Sequence, residues 1–497
     1  MYPVQTADEL KRSYSDFVIE PCPVILVNCA SSIDVVDFLE AEDSAVFYII
    51  DSMRPFHVHN VYNMMQVKLL ILPSALEAES NLVPPYDALF HDENEDNADY
   101  FNRTEWDATR LETISKYMEN EYYRESSTFV VFDLAWKCSR DTSTLLWGAV
   151  VSVAYQYAID LIDNQLYLDQ IASLQSHASR LRHAYGNEAS VCCLRINFIE
   201  DLKCSVLRQW TLWDSFYSSI YVHCLFRLWN VRGRSRLNEF LADLGISLQD
   251  AKRSFASLDS SVCERLQSAI KADRLKAKYH YDESAFFVPT FVVQFAHRLC
   301  CNAIDFAITL HAVLMDRESL QEDSSDLFVK AMRCFDWNDT SIEISFGICK
   351  QVYKKLISEM QNLLEAQKLI SYGRFIHVAY QIEDESPDSL WNSISALQLL
   401  SQYLLQAHYH STSSRKARLL PLILNVYADD TYNTLIGITC PQVTRINYFP
   451  GVFEKAIREA GITTASFPEF SRTVVKVSRE ETDLLLSICN QLVPRRN

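Results

Sequence analysis

The chain has 497 residues, 48% of them hydrophobic and 22% charged. These values exclude wholesale disorder and leave room for two or three domains, each with its own core. Its 64 acidic residues outnumber 46 basic ones, giving a net charge of −18, so bulk nucleic acid repels it and a basic protein partner suits it better.

The N-terminal part alternates strands and helices. The run VILVNC (24–29) reads as a buried strand, SSIDVVDFLE as a short helix opened by serine, and VFYII (46–50) as the next strand. Strand, helix, strand at this spacing is the pattern of a parallel sheet. The second strand stops at Asp51, and Arg54-Pro55 and the pair His57-x-His59 follow. Open α/β sheets place metal and phosphate sites at such strand ends, which makes Asp51 the first candidate. The acidic stretch 91–107 reads as a solvated, mobile loop. STFVVFDLAW (127–136) returns to the sheet as a strand, and 144–162, apolar almost all round, reads as a helix buried against it.

Over 195–348 the strand signal thins and amphipathic spacing dominates. Trp210, Trp213, Phe216 and Tyr217 fall on one helical face and read as core, because no basic residue is interleaved with them as a base-stacking platform would need. The segment 233–259 reads as two helices joined at Gly245 with Ser247 as N-cap, and 291–315 as one long helix. From 349 onward the alternation returns, with strands at RFIHVAYQI, LLPLILNVY, YNTLIGITC and TVVKVS and helices between and after them.

The 14 cysteines show no framework spacing, and the adjacent pairs Cys192-Cys193 and Cys300-Cys301 are poorly placed to bridge or to chelate one ion. The expectation is an intracellular protein with reduced, mostly buried thiols. Charges interrupt every long apolar run, so no membrane span is expected. Glycine is scarce, at nine residues, and neither GxxxxGK(S/T) nor GxGxxG occurs, which argues against a phosphate-cradling loop.

Five blocks taken in order, VILVNC…VDFLE…VFYIIDSMRPFHVHNVYN…VKLLILP, FVVFDLAWKCSRDTSTLLWGAVV, RLNEFLADLGI, ARLLPLIL and FPGVFEKAIREA, closely resemble the cell division control protein 45 family, relatives of the RecJ/DHH phosphoesterases. The resemblance implies an α/β fold in three parts. These are an N-terminal DHH-like parallel-sheet domain (1–194), an inserted all-helical block (195–348) and a C-terminal DHHA1-like α/β domain (349–497).

Active DHH enzymes gather aspartates and histidines around two Mn²⁺ ions, because hard cations need several converging carboxylates to activate water. The resemblance puts the first such motif upstream of Met1. It aligns the second motif's aspartate with Asn28 and the Asp-His-His motif with Asp51-Ser52-Met53. Asn28 is neutral and Met53 a soft thioether, so one carboxylate is left and a two-metal site is not assembled. No GGGH-type motif occurs between 374 and 497. His57 and His59 would share a strand face, but no Cys, Asp or Glu nearby in sequence completes a metal site, so a structural role is expected. Asp51 is expected to accept backbone N–H groups in the turn.

The expectation is a catalytically silent protein with no cofactor and no metal. By resemblance it is an accessory subunit of the eukaryotic replicative helicase in the nucleus. Its implied partners are the MCM hexamer and the GINS tetramer, with DNA polymerase, origin-loading factors and weakly held single-stranded DNA beside them. The basic clusters Arg232, Arg234, Arg236 and Arg415, Lys416, Arg418 are candidates for a partner contact, against the commoner role of solvated loop charge. Two other functions remain open at this point: an active Mn²⁺-dependent phosphoesterase or exonuclease, and a single-stranded DNA sensor.

Overall fold

The computed structural model describes residues 1–17, 22–90, 100–185, 194–282, 286–295, 299–316, 324–382, 389–427 and 431–495. It is a mixed α/β structure in two compact units. One gathers residues 1–134, 371–381 and 421–497, and the other gathers 135–370 and 382–420. The chain is thus grouped differently from the three consecutive spans read from sequence, since 135–194 joins the helical part and both ends of the chain share the first unit.

The first unit holds a parallel sheet of β1 (Pro23–Val27), β2 (Val46–Ile50) and β4 (Val67–Leu69), with β2 central. Leu26 pairs with Ile49 and Val24 with Phe47 in register. Phe47, Ile49, Leu26 and Val67 point into a core closed by Val35 and Leu39 of the crossover and by Leu10 of the first helix, Ala7–Phe17. Burying a side chain such as Phe47 contributes about 1.5–3 kcal/mol. A two-stranded ladder of β3 (Met53–Arg54) and β5 (Tyr122–Tyr123) follows the Asp51 turn.

The same unit contains a five-stranded mixed sheet, in the order β13 (Val474–Ser478), β12 (Tyr432–Ile438), β11 (Leu422–Tyr427), β10 (Phe375–Gln381), β9 (Leu369–Tyr372). β10 and β11 run parallel, while β12 is antiparallel to both neighbours. The helices Phe449–Ala460 and Thr482–Leu492 cover one face through Phe449, Phe453, Leu485 and Cys489. Glu121 is buried here, exchanging backbone hydrogen bonds with Asn447 at 2.7 Å and accepting from Ser471 Oγ at 2.9 and 3.0 Å.

The second unit is built mainly of helices. Trp147 of the helix Ser143–Ala158 packs edge-on to Phe306 of Ala303–Met315, with the 25-residue helix Ser341–Glu365 beside them. A second cluster gathers Phe216, Phe226, Phe240, Tyr279 and Phe286. Trp210 and Phe216 are buried and Trp213 and Tyr217 partly so, which bears out their reading as core, but Trp210 lies in extended backbone ahead of the helix Leu212–Ser218 that carries the other three. Gly245 sits at φ +75° between the helices Val231–Asp243 and Leu248–Ala251, and Ser247 caps the second by accepting from the Asp250 amide at 3.0 Å.

Three local expectations are corrected. Ser127–Lys137 is a helix, not a strand. A short apolar run fits either element, and the Ser126 hydroxyl decides it by accepting from the Phe129 amide at 3.2 Å. The block 195–348 is not wholly helical. It holds an antiparallel sheet of β6 (Leu194–Leu202), β7 (Phe287–Phe295) and β8 (Leu299–Asn302). The span 291–315 accordingly breaks at Asn302, whose side chain caps the following helix by accepting from the Asp305 amide at 2.6 Å. Of the acidic stretch 91–107, residues 91–99 lie outside the described residues, and 100–107 form the start of the helix Tyr100–Tyr117. Among the described helices, none is long and apolar enough to cross a membrane.

Candidate functional site

Asp51 ends β2 with its carboxylate turned back into the chain. It is 4% exposed, and Oδ1 accepts from the Met53 amide at 2.9 Å. Oδ2 accepts from the amides of Ala30 and Ser31 at 3.5 and 3.3 Å. Burial raises the pKa of this carboxyl, and the Met53 amide, the Arg54 guanidinium and the Ala30 and Ser31 amides pull it back. Arg54 crosses underneath, donating from Nη1 to the carbonyls of Asp51 at 2.6 Å and Met53 at 2.9 Å, and stacks 4.0 Å over Phe56.

Asn28 and Met53, the other two positions singled out in the sequence, are also committed to structure. Asn28 lies at φ 55°, its amide donates to Ile50 O at 3.0 Å, and its Oδ1 accepts from Ser127 Oγ. Met53 is buried and pairs with Tyr123. A carboxylate whose two oxygens already hold three backbone amides has little capacity left for a hard cation, and neither neighbour adds charge.

His57 and His59 do not share a strand. They bracket the start of a short helix, Val58–Tyr62, with His57 as its N-cap. Buried Asn60 positions this helix by accepting from the Val35 amide at 3.1 Å and donating to Ala30 O at 3.2 Å and Ile33 O at 2.7 Å. That tie delivers Asp34, the N-cap of Val35–Phe38, to the histidine pair. Its Oδ2 lies 2.5 Å from His59 Nδ1. Burial alone would raise the Asp34 carboxyl, but hydrogen bonds from His59 and the Asp37 amide hold it below the usual range. Burial also pushes His57 down to about 4, so its ring is neutral at pH 7. Sequence reading missed Asp34 because it is 25 residues from His59.

Arg232, Arg234 and Arg236 lie exposed in the first turns of Val231–Asp243. Arg234 Nε donates to Leu228 O at 3.2 Å, and Arg236 packs over Phe226 and Tyr279 at 6.0 and 5.6 Å. Arg232 and Arg236 line a cleft of about 550 Å³ together with Arg227, which the sequence reading did not single out. Gly233 also lines it and packs tightly on the preceding turn, where a Cβ would lie 2.2 Å from Arg227 O. Arg415 and Lys416 are exposed ahead of the turn Ala417–Leu419, and Arg418 stacks 5.0 Å over Tyr409. Arg227 and Arg418 both act on His410. Its carbonyl accepts from Arg227 Nη2 at 2.9 Å, and its ring is pushed below its ordinary pKa by burial and then by Arg227 and Arg418.

Fold and site together define an α/β protein whose strand-end aspartate is held by its own backbone and whose helical unit carries a basic cleft. A family model described as CDC45 matches residues 1–108 and 79–488. The chain is 30% identical to mouse cell division control protein 45 homolog, across 98% of this chain and 90% of that protein, and 29% identical to the human homolog across the same shares. The crystal structure of CDC45 from Entamoeba histolytica superposes with a TM-score of 0.67 at 21% identity, covering 98% of this chain and 88% of that one. The chain belongs to the CDC45 family.

Proposed function

We propose that this chain, a DNA replication initiation factor by its family, acts as a non-catalytic accessory subunit of the eukaryotic replicative helicase. In this reading it works in the nucleus, bridging the MCM hexamer and the GINS tetramer at origins and forks, with DNA polymerase and origin-loading factors as further contacts and single-stranded DNA held only weakly. The observation that carries it is Asp51, whose carboxylate accepts three backbone amides while Asn28 and Met53 stand at the two neighbouring motif positions. The fold is a degenerate DHH phosphoesterase in which the former metal end has become a structural turn. Large binding surfaces need no catalytic residue.

The test mixes purified chain with MCM hexamer and GINS tetramer. Stable co-migration and faster unwinding of a forked substrate are expected, and failure to co-migrate overturns the bridging role. Incubation with labelled single-stranded DNA and Mn²⁺ is the second arm. Cleavage that disappears in Asp51→Ala overturns the non-catalytic reading.

A further inference from the structure

The Asp34, His57 and His59 group lies one residue beyond the Asp51 contacts, with the His57 amide donating to Ser31 O at 2.6 Å, and goes unused by the proposed role. One ligand atom from each of the three lies within 4.8 Å of the other two. Two imidazoles and one carboxylate are the donor set of an open, three-ligand zinc centre, in which the fourth position is left to water or an incoming group. Zinc ligands at about 2.0–2.2 Å from the ion sit roughly 3.4 Å from one another. The widest pair therefore closes by at most about 1.4 Å, and the Asp34–His59 pair, at 2.5 Å, opens by about 0.9 Å.

A second observation points the same way. His57 Nδ1 is buried and has no hydrogen-bond partner among the described residues. A buried polar atom left unpaired costs about 1–3 kcal/mol, and this one belongs to a ring 5.3 Å from a second imidazole. The scaffold is also prepared. Asn60 locks the two short helices to each other through its three hydrogen bonds, so the ligand-bearing segments do not have to be assembled by the ion.

We propose that Asp34, His57 and His59 form a site for Zn²⁺. The ion takes the place of the hydrogen between His59 Nδ1 and Asp34 Oδ2, which are 2.5 Å apart, and that hydrogen moves to Nε2 of the same ring, which stays a neutral ligand. Zinc suits the two nitrogen donors, whereas Mg²⁺ and Ca²⁺ demand more oxygen ligands than this group supplies.

Arg110 sets the cost of loading. Its Nη2 lies 3.3 Å from His59 Nε2 and donates to it, while its Nε is tied to Leu89 O at 2.7 Å. Coordination through Nδ1 moves the ring hydrogen onto Nε2, where it faces the guanidinium, so Arg110 must turn away. Arg110 is thus a competitor of the metal, and an oxygen acceptor in its place would orient the ring as metal-bound histidines usually are.

Calorimetric titration of Zn²⁺ into the full chain tests this, with the exposed thiols of Cys22, Cys138 and Cys300 first blocked by N-ethylmaleimide. Saturable uptake at a single site is expected. His57→Gln and His59→Gln should each weaken it by about tenfold or more, and Arg110→Gln should tighten it several-fold, within the range that groups behind the ligands usually command. Circular dichroism melts verify that each variant is folded. Arg110→Gln keeps all three ligands, so it reads out even where a histidine variant unfolds. Absence of saturable uptake, or uptake indifferent to both histidine substitutions, overturns the site. An Arg110→Gln chain that binds no tighter than the parent overturns coordination through His59 Nδ1.

Discussion

Arg54 and Glu79 form a buried ion pair, Nε to Oε1 at 2.7 Å, with 4% and 10% of their side chains exposed. The same guanidinium braces the carbonyls of Asp51 and Met53, so the pair extends the turn at the end of β2. Removing one partner of such a pair strands the other charge away from water. Glu79→Ala is expected to lower stability by about 3–5 kcal/mol, more than a surface substitution does. Denaturant unfolding would show it, and a midpoint unchanged from the parent would contradict the role given to this pair.

Asp51 itself should matter for folding alone. Asp51→Ala leaves the amides of Met53, Ser31 and Ala30 without their acceptor. A loss of about 1–3 kcal/mol is expected, with Asp51→Asn losing less because it retains one oxygen. Thermal melts of the two variants, ranked against the parent, test the order.

Glu121 gives stability a pH dependence. Its carboxyl is raised from 4.5 to about 7, chiefly by burial, with Ser471, Arg472 and Tyr123 opposing. An acid that binds its proton more tightly when folded contributes most at low pH. That contribution is lost as pH rises from about 4.5 through about 7, and is flat above. Glu121→Gln should remove this component, so the variant loses less stability than the parent between about pH 5 and about pH 8. Melting curves with the same slope in both proteins would refute it.

Arg232 is the arginine to reverse in testing a partner contact. Arg236 packs on two aromatic rings and Arg234 holds a carbonyl, so reversing either disturbs the helix as well as the charge. Arg232→Glu should fold normally and reduce capture of MCM or GINS on the order of tenfold at low salt, with the deficit shrinking as salt rises. Capture at full strength at every salt concentration would remove this cluster from the interface.

How much of this could be read in advance follows the range of each interaction along the chain. Ser247 and Gly245 were legible because a cap and a left-handed glycine act within four residues. The acceptor role of Asp51 was legible because a strand, a single carboxylate and a turn follow one another directly. Ser127–Lys137 was misread because its apolar run carries no period that separates strand from helix, and one serine settles it. The Asp34–His59 contact was hidden because Asn60 creates it from a different position. The Arg227–His410 bond was hidden because 183 residues separate its ends.

The discontinuity of the first unit has a consequence for biosynthesis. Its opening segment, 1–134, shares one compact body with 421–497, and the second unit's 135–370 is made in between. Translation at about 5–20 residues per second puts roughly 14–57 s between those two parts of the message, over the 286 residues from 135 to 420. During that interval the parallel sheet has left the ribosome without its C-terminal companion, and Glu121, buried in the finished fold against Asn447 and Ser471, lacks both partners. A chaperone that holds the first 134 residues until synthesis is complete would raise the yield of this protein more than one that acts on the released chain.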